Sequence, residues 1–159
     1  MTASLSNGAP QAQIALCETN LDRLPPLLAR DVEQAISDLG HENCFEPNGL
    51  EGPFSVVLST QNGRLVFDIR DRDDHPLRLV GIALGPFRRL IKDYMLLVES
   101  HAIAVEEGRE QRLEAIDMGR RGLHNEGAAQ IVDRLRGKIL VDLATARRLF
   151  TLMCVLQQR

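Results

Sequence analysis

The apolar and polar residues of this chain recur with two different periods, and the two periods predict different elements. Between residues 54 and 84, apolar residues alternate with polar ones, which is the period of a strand with one buried face. Asn62-Gly63 separates two of these runs, and Asn-Gly is a strong hairpin signal because both residues tolerate a positive φ. The pattern therefore predicts an antiparallel meander with strands over 54–60, 64–70 and 77–84.

Helical spacing of apolar residues marks most of the remaining chain. Pro25-Pro26 is predicted to open the first helix, because an N–H in the first turn has no partner to lose. Gly40 and Gly108 are expected to end two of the helices, and Asp142 is expected to cap the start of the last one. The predicted helices cover about 25–40, 86–108, 109–121, 125–136 and 143–157.

These elements predict an α+β fold, in which a small antiparallel β-meander packs against a bundle of four to five helices. Short apolar runs over 13–18 and 138–141 predict two further strands, and turn-forming residues predict a loop over 41–53. Residues 11–159 are expected to form a single domain. Residues 1–10 contain Ser, Gly, Asn and Pro and are expected to be a flexible tail.

Gly122 lies inside a run of helical periodicity and allows two interpretations. We predict that the helix breaks there, with Gly122 ending one helix and Asn125 capping the next, because a glycine inside a helix costs about 1 kcal/mol relative to alanine. In the alternative, the helix is continuous and its glycines mark the close approach of another backbone. That helix would carry a stripe made of Leu113, Ile116, Gly119, Leu123, Gly127, Ile131 and Leu135.

The net charge of −3 is unevenly distributed along the chain. Residues 1–108 hold 9 Lys and Arg against 16 Asp and Glu, whereas residues 109–159 hold 10 against 6. The basic second part either attracts the acidic first part within the fold or presents a basic face to an anionic partner. Both interpretations remain open at the level of the sequence.

Composition argues against several classes of protein. No apolar run approaches the roughly 18 residues of a membrane span, so we expect no membrane association. Five Phe, one Tyr and no Trp offer no stacking platform for bases, and the chain is acidic, so nucleic acid is not expected as a partner. Cys17, Cys44 and Cys154 are odd in number and far apart, which indicates reduced thiols in the cytoplasm.

No motif for a cofactor or a metal ion is visible. The chain contains no P-loop, no dinucleotide fingerprint and no nucleophile elbow. His41 and Cys44 stand at ligand spacing, but two ligands fall short of the four of structural zinc. We therefore expect neither a cofactor nor a metal.

The densest group of chemically capable side chains lies at the predicted helix break. If the helix breaks, free N–H groups at the new helix start would favour an anion, the arginines would bind phosphate or carboxylate, and His124 and Glu126 could transfer protons. In the alternative interpretation, the group caps a solvent-facing corner and its arginines pair with nearby carboxylates. The group comprises Arg120, Arg121, His124, Asn125 and Glu126.

Arg88 and Arg89 extend this hypothesis, because they form one of three arginine pairs on predicted helices. If the helices converge, the pairs could line one basic pocket that binds an anion or a partner. The alternative is that they are solvated or paired with the acidic turn over 71–74. The three pairs are Arg88-Arg89, Arg120-Arg121 and Arg147-Arg148.

Four separated segments resemble the signature blocks of a known family. They are GRLVFDIR (63–70), PFRRLIKDY (86–94), EAIDMGRRGLHNEG (114–127) and DLATARRLFTLMCVL (142–156). In this order the blocks resemble an uncharacterised protein family of alphaproteobacteria, family 0262 of the UPF series, over roughly residues 11–157. The resemblance implies no particular reaction, ligand or partner.

Two functions remain after these arguments. We predict a small cytoplasmic binding or regulatory protein that engages a protein partner or a small anionic ligand through the basic helix corner. The alternative is a small enzyme that acts on a phosphorylated or carboxylated metabolite. In that enzyme Arg120 or Arg121 would hold the anion, and His124 or Glu126 would act as acid or base. The binding protein is preferred because no catalytic constellation stands out.

Overall fold

Strands and helices are interleaved along the chain, of which the computed structural model describes residues 11–17 and 21–158. The predicted tail, residues 1–10, lies outside the described residues. The strands are β1 (Ala12–Leu16), β2 (Phe45–Pro47), β3 (Phe54–Gln61), β4 (Arg64–Arg70), β5 (Pro76–Ala83) and β6 (Ile139–Val141). The helices are α1 (Pro26–His41), α2 (Arg88–Glu107), α3 (Glu110–Leu135) and α4 (Leu143–Leu156), and a 3-10 turn over Gly85–Phe87 precedes α2.

The larger sheet has the strand order β1-β3-β4-β5, and its last three strands form the predicted antiparallel meander. Asn62 and Gly63 connect β3 to β4 with φ angles of 51° and 74°, as expected for a tight hairpin turn. β1 pairs with β3 in parallel, with Ala12 opposite Phe54. A parallel pair needs a crossover connection, and α1 lies within it.

One face of this sheet is buried beneath the helices. The apolar residues Leu65, Phe67 and Ile69 of β4 are fully buried, which confirms the predicted alternation. The opposite face carries half-buried side chains such as Asp68 and Arg70, which pair with each other at 3.3 Å. The described residues therefore form an α+β fold, as predicted, in which the sheet and four helices share one hydrophobic core.

The prediction of a loop over 41–53 is wrong in part, because β2 lies within that segment and pairs with β6 in an antiparallel ribbon. Phe45 is fully buried and packs its ring against Phe54 and Phe67, and the Gln11 side chain accepts a hydrogen bond of 2.7 Å from the Phe45 N–H. Three residues that include Pro47 are too few to show a strand period.

The predicted helix break at Gly122 is also wrong, because α3 is one continuous helix and Asn125 caps nothing. Two of its glycines, Gly119 and Gly127, lie against side chains of the neighbouring helices, whereas the alternative supposed the close approach of another backbone. A Cβ placed on Gly127 would lie 2.5 Å from Cδ1 of Phe150 in α4, and one on Gly119 would lie 3.3 Å from Leu97 in α2. Burial of apolar side chains along α3 outweighs the lower helix propensity of glycine.

Helix α4 is the most enclosed of the helices, with every residue from Leu149 to Leu156 buried. Asp142 caps its start as predicted, since Oδ1 accepts a hydrogen bond of 2.8 Å from the Thr145 N–H. Gly108 ends α2 as predicted, in a left-handed conformation. Gly40 does not end α1, which continues to His41. Among residues 11–17 and 21–158, no helix combines the length and the apolar character needed to cross a membrane.

Candidate functional site

A network of partly buried polar side chains joins the four helices. The Tyr94 hydroxyl of α2 donates a hydrogen bond of 2.7 Å to Asp31 Oδ2 of α1. Arg120 Nη1 of α3 lies 3.4 Å from Asp31 Oδ1, and His124, one turn further along α3, reaches Thr151 of α4. The sequence places each of these residues on an otherwise apolar helix face, so the network lies between the helices.

His124 is buried and both of its ring nitrogens have partners. Nδ1 lies 2.9 Å from the Arg120 carbonyl oxygen, which can only accept, so Nδ1 carries a hydrogen. Burial lowers the pKa of His124, so the ring is neutral at neutral pH and Nε2 accepts from the Thr151 hydroxyl at 3.0 Å. Tyr94 and Phe150 pack against the imidazole in edge-to-face geometry. The histidine therefore fixes α3 to α4.

Arg120 is held by two carboxylates and its side chain is only 21% exposed. Its Nη2 lies 2.8 Å from Asp117 Oδ1, and this hydrogen bond holds the pKa of Asp117 below its usual range. Asp31 accepts from Nη1 on the other side. Because both contacts are within the fold, the guanidinium is fixed in position and its charge is largely balanced.

A cavity of about 180 Å³ opens next to this network, between α1, α3 and α4. Arg147 and Arg148 of α4 line it together with Arg120 and His124. Arg148 Nε lies 3.5 Å from Asp38 Oδ2 of α1. Arg147 is exposed and its side chain makes no hydrogen bond or ion pair within the described part of the chain. The cavity therefore combines fixed and available guanidinium groups.

The structure separates the predicted site residues. Arg120 and His124 come together at the cavity, but Arg121 and Asn125 are exposed and do not line it. Arg121 pairs with Asp117 Oδ2 at 2.7 Å. Because α3 is continuous, the N–H groups near Asn125 lie inside the helix, and the helix start that was expected to favour an anion does not exist.

The remaining predicted residues lie elsewhere. Glu126 pairs with Arg89 of α2 at 2.8 Å on the surface, and Arg89 also contacts Asp93 at 3.2 Å. Arg88 lines a different cavity, of about 370 Å³, beside the β3–β4 turn. Of the three arginine pairs, Arg120 and the pair of α4 therefore converge, whereas the pair of α2 does not.

Sequence reasoning missed two members of the network, Asp31 and Thr151. Asp31 stands four residues after Leu27 and four before Ala35, on the apolar face of α1. Thr151 likewise falls within the buried run of α4. A polar residue on an apolar helix face was the available signal, because a buried polar group needs a partner. Its partner could not be identified from spacing within one helix.

A larger cleft, of about 1060 Å³, was not predicted at all. It lies between the β2–β6 ribbon, the loop over 48–53 and the end of α3. Its walls come from distant parts of the chain, and its β2 wall was predicted to be loop.

The turn between β4 and β5 brings Asp71, Asp73 and His75 within 4.8 Å of one another. Asp71 accepts hydrogen bonds of 2.9 Å from the Asp73 and His75 N–H groups, and its Oδ2 lies 3.1 Å from His75 Nδ1. These hydrogen bonds, with that of the His75 N–H first, lower the pKa of Asp71. Asp73 and His75 are exposed and Asp71 is half-buried, and the hydrogen bonds that close the turn account for the cluster.

Comparisons with known proteins agree on one family. The model of the uncharacterised protein family (UPF0262) matches residues 11–159. A UPF0262 protein of Granulibacter bethesdensis is 57% identical over 148 residues, covering 87% of this chain and 84% of its own length. UPF0262 proteins of Acidiphilium cryptum and Agrobacterium fabrum are 48% and 47% identical, covering 98% and 91% of this chain and 99% and 95% of their own lengths.

No solved structure matches the chain significantly. The family model covers nearly the whole sequence, and the relatives are similar along most of their own lengths. The four sequence blocks that resembled this family lie within the matched residues. The chain therefore belongs to the uncharacterised protein family UPF0262.

Proposed function

We propose that the protein is a cytoplasmic binding protein that takes a small anion, such as the phosphate or carboxylate group of a metabolite, in the cavity between α1, α3 and α4. The observation that carries this proposal is Arg147, whose side chain has no partner among the described residues, next to Arg148 at the cavity. Arg148 uses Nε towards Asp38 and has no described partner for its two Nη groups. Guanidinium groups with available N–H donors bind phosphate and carboxylate in a bidentate manner.

The surroundings of the two arginines support an anion. Ala144 in the first turn of α4 also lines the cavity, so the positive end of the helix dipole lies close by. The two lining carboxylates are already engaged. Asp31 accepts from Tyr94 and Arg120, and Asp38 accepts a hydrogen bond of 2.9 Å from Gln34 in addition to its contact with Arg148.

The enzymatic alternative has less support. Both nitrogens of His124 are engaged within the fold, so the ring has no free position for a substrate proton. Glu126 lies away from the cavity and pairs with Arg89. The cavity thus offers charge recognition without an available acid or base, which is the chemistry of binding.

Thermal unfolding of the purified protein with inorganic phosphate, phosphorylated metabolites and carboxylates tests the proposal. A ligand at 100 times its dissociation constant adds about 2.7 kcal/mol, which raises the midpoint by several degrees for a domain of this size. The shift should disappear in the Arg147→Ala/Arg148→Ala variant. The matched control is Arg112→Ala/Arg134→Ala, since both arginines are exposed on α3 and have no described ion pair.

Circular dichroism without ligand shows whether the variant of α4 keeps its fold. A ligand-induced thermal shift that survives in the Arg147→Ala/Arg148→Ala variant, or that the control variant loses to the same extent, would contradict the site. Absence of a shift with every anion would contradict the proposed function.

A further inference from the structure

We propose a second binding site, in which an extended peptide segment of a partner protein pairs with the edge of β5 and continues into the cleft beside β6. This site is separate from the anion cavity. Val132 of α3 lines the cleft, whereas Arg120 lines the cavity, and the two residues are about 18 Å apart along the helix axis. The two proposals use different residues and can fail independently.

The shape of the groove favours an extended occupant. A smaller cavity of about 340 Å³ shares Asn48, Gly137 and Lys138 with the cleft of about 1060 Å³. The smaller cavity is also lined by β5 residues from Arg78 to Gly81. The two cavities therefore adjoin at these three residues, and the groove that they make together extends from the edge of the large sheet to the small ribbon.

The edge of β5 is available for strand pairing. Within the described part of the chain, β5 pairs with β4 and with no other strand. The Leu84 N–H donates to the Gly63 carbonyl, so these two residues form a hydrogen-bonded pair. Hydrogen-bonded and non-hydrogen-bonded pairs alternate along antiparallel strands, so the N–H and C=O groups of Leu79 and Gly81 point away from β4. Leu79 is 70% exposed. An open edge of this kind accepts an extended peptide through main-chain hydrogen bonds.

The cleft supplies an apolar anchor for the same peptide. Leu140 of β6 is 59% exposed, whereas its neighbours Ile139 and Val141 are buried. It lies opposite Glu46 in the ribbon, on the face that points away from the core. Half-buried Leu50 and Val132 line the cleft as well. An apolar side chain of the peptide would cover Leu140, because alternate residues of an extended strand point to one face.

Charges along the groove define the chemistry of the partner. Arg78 and Lys138 line the end near β5, and no carboxylate of the described residues lines that cavity. Arg78 Nη1 also donates a hydrogen bond of 2.6 Å to the Asn48 carbonyl. Glu46 and Glu51 line the cleft. Lys138 and Glu51 have no ion pair with any described residue, so both charges are free to meet a ligand. The groove therefore fits an acidic side chain near β5, an apolar one at Leu140 and a basic one beyond it.

Fluorescence anisotropy with labelled nonapeptides of fixed design tests this inference. Every peptide in the panel has the same apolar core. One peptide has an acidic and a basic end, and a second has these two ends exchanged. The other three have only acidic, only basic or only neutral ends. We expect a mixed-charge peptide to bind best. Leu140→Asp should weaken its binding at least about tenfold, a change of 1.4 kcal/mol. The matched control is Leu143→Asp, because Leu143 is 55% exposed and does not line the groove.

A second variant tests strand pairing. Leu79→Pro removes an outward N–H from an edge strand, where proline is tolerated, and should weaken the same peptide by a similar factor. Sedimentation of the wild-type chain is measured in parallel. Dimers that Leu79→Pro abolishes would overturn the inference, since the occupant of the edge would be a second copy. Failure of every peptide to bind, equal binding of uniformly charged peptides, or unchanged binding by both variants would also overturn it.

Discussion

Asp31 and Tyr94 lie 63 residues apart in the sequence, and the Tyr94 hydroxyl donates a hydrogen bond of 2.7 Å to the Asp31 carboxylate. The bond joins α1 to α2 directly beside Arg120. Burial, followed by the charge of Asp31, raises the pKa of Tyr94, so the hydroxyl keeps its hydrogen over the whole ordinary pH range. The same carboxylate accepts from Arg120, so one aspartate organises three helices.

The first prediction concerns the hydrogen bond between His124 and Thr151. Thr151→Val keeps the shape of the side chain but leaves His124 Nε2 buried without a donor, which should lower the free energy of unfolding by about 1–3 kcal/mol. Urea unfolding measures the change. Thr151→Ser should restore most of the loss, because it returns the hydroxyl. An unchanged free energy in Thr151→Val would show that Nε2 needs no partner.

The second prediction concerns the pKa of His124. Burial lowers it below the ordinary value of 6.5, so the unfolded chain takes up a proton at a higher pH than the folded chain does. The free energy of unfolding should therefore be complete above pH 6.5 and should fall as the pH decreases from 6.5 towards the folded value. Denaturant unfolding between about pH 8 and about pH 5 measures this slope.

His124→Gln should make that slope less steep. His101→Gln is the comparison variant, because burial also lowers the pKa of His101. Each substitution should remove only the part of the pH dependence that its own ring contributes. Direct titration of the His124 ring by nuclear magnetic resonance is the decisive readout. A midpoint at or above 6.5 would contradict the lowered pKa of His124.

Two glycines of α3 should respond in opposite directions to the same substitution, which is the third prediction. Gly122→Ala meets nothing within 4 Å and should raise the free energy of unfolding by about 1 kcal/mol through helix propensity. Gly127→Ala gains the same propensity but forces the Phe150 ring to move, at a cost of about 1–3 kcal/mol or more. Parallel urea titrations compare the two. Equal stabilisation by both would contradict the close packing of α3 and α4.

The fourth prediction concerns the N-terminal cap of α4. Asp142→Ala removes the acceptor for the Thr145 N–H and should destabilise the protein by about 1 kcal/mol. Thermal unfolding measures the loss. Asp133→Ala is the control, because Asp133 is exposed and makes only a 3.5 Å surface contact with Arg136. An equal effect of both substitutions would exclude a specific capping role.

Local signals were enough to predict the meander and most of the helices. The turn at Asn62-Gly63 and the alternation around Leu65 and Phe67 each lie within a few residues, so a pattern in the sequence contains the whole cause. The parallel pairing of β1 and the ribbon of β2 with β6 depend on contacts between distant segments. The break at Gly122 was predicted from the low helix propensity of glycine and from a possible cap at Asn125, and packing of α3 against α4 overrides both local signals.

The candidate site was predictable in its chemistry and unpredictable in its geometry. Arg120 and His124 stood out as capable side chains, and the structure does bring them to one cavity. Their partners are 89 residues away, at Asp31, and 27 residues away, at Thr151. Sequence spacing within one helix cannot identify such partners. The prediction therefore placed the two residues at a binding corner formed by a helix break, whereas His124 is buried inside a continuous helix.

The position of α4 in the chain has a consequence for synthesis on the ribosome. Phe150 fills the space over Gly127, and Thr151 completes the hydrogen bonds of His124. A nascent chain that has emerged only as far as α3 has neither group, so the bare backbone of Gly127 and the imidazole beside it stay open to water. The meander can form early from its own turns, but the helical layer closes only once residues 143–156 have left the exit tunnel.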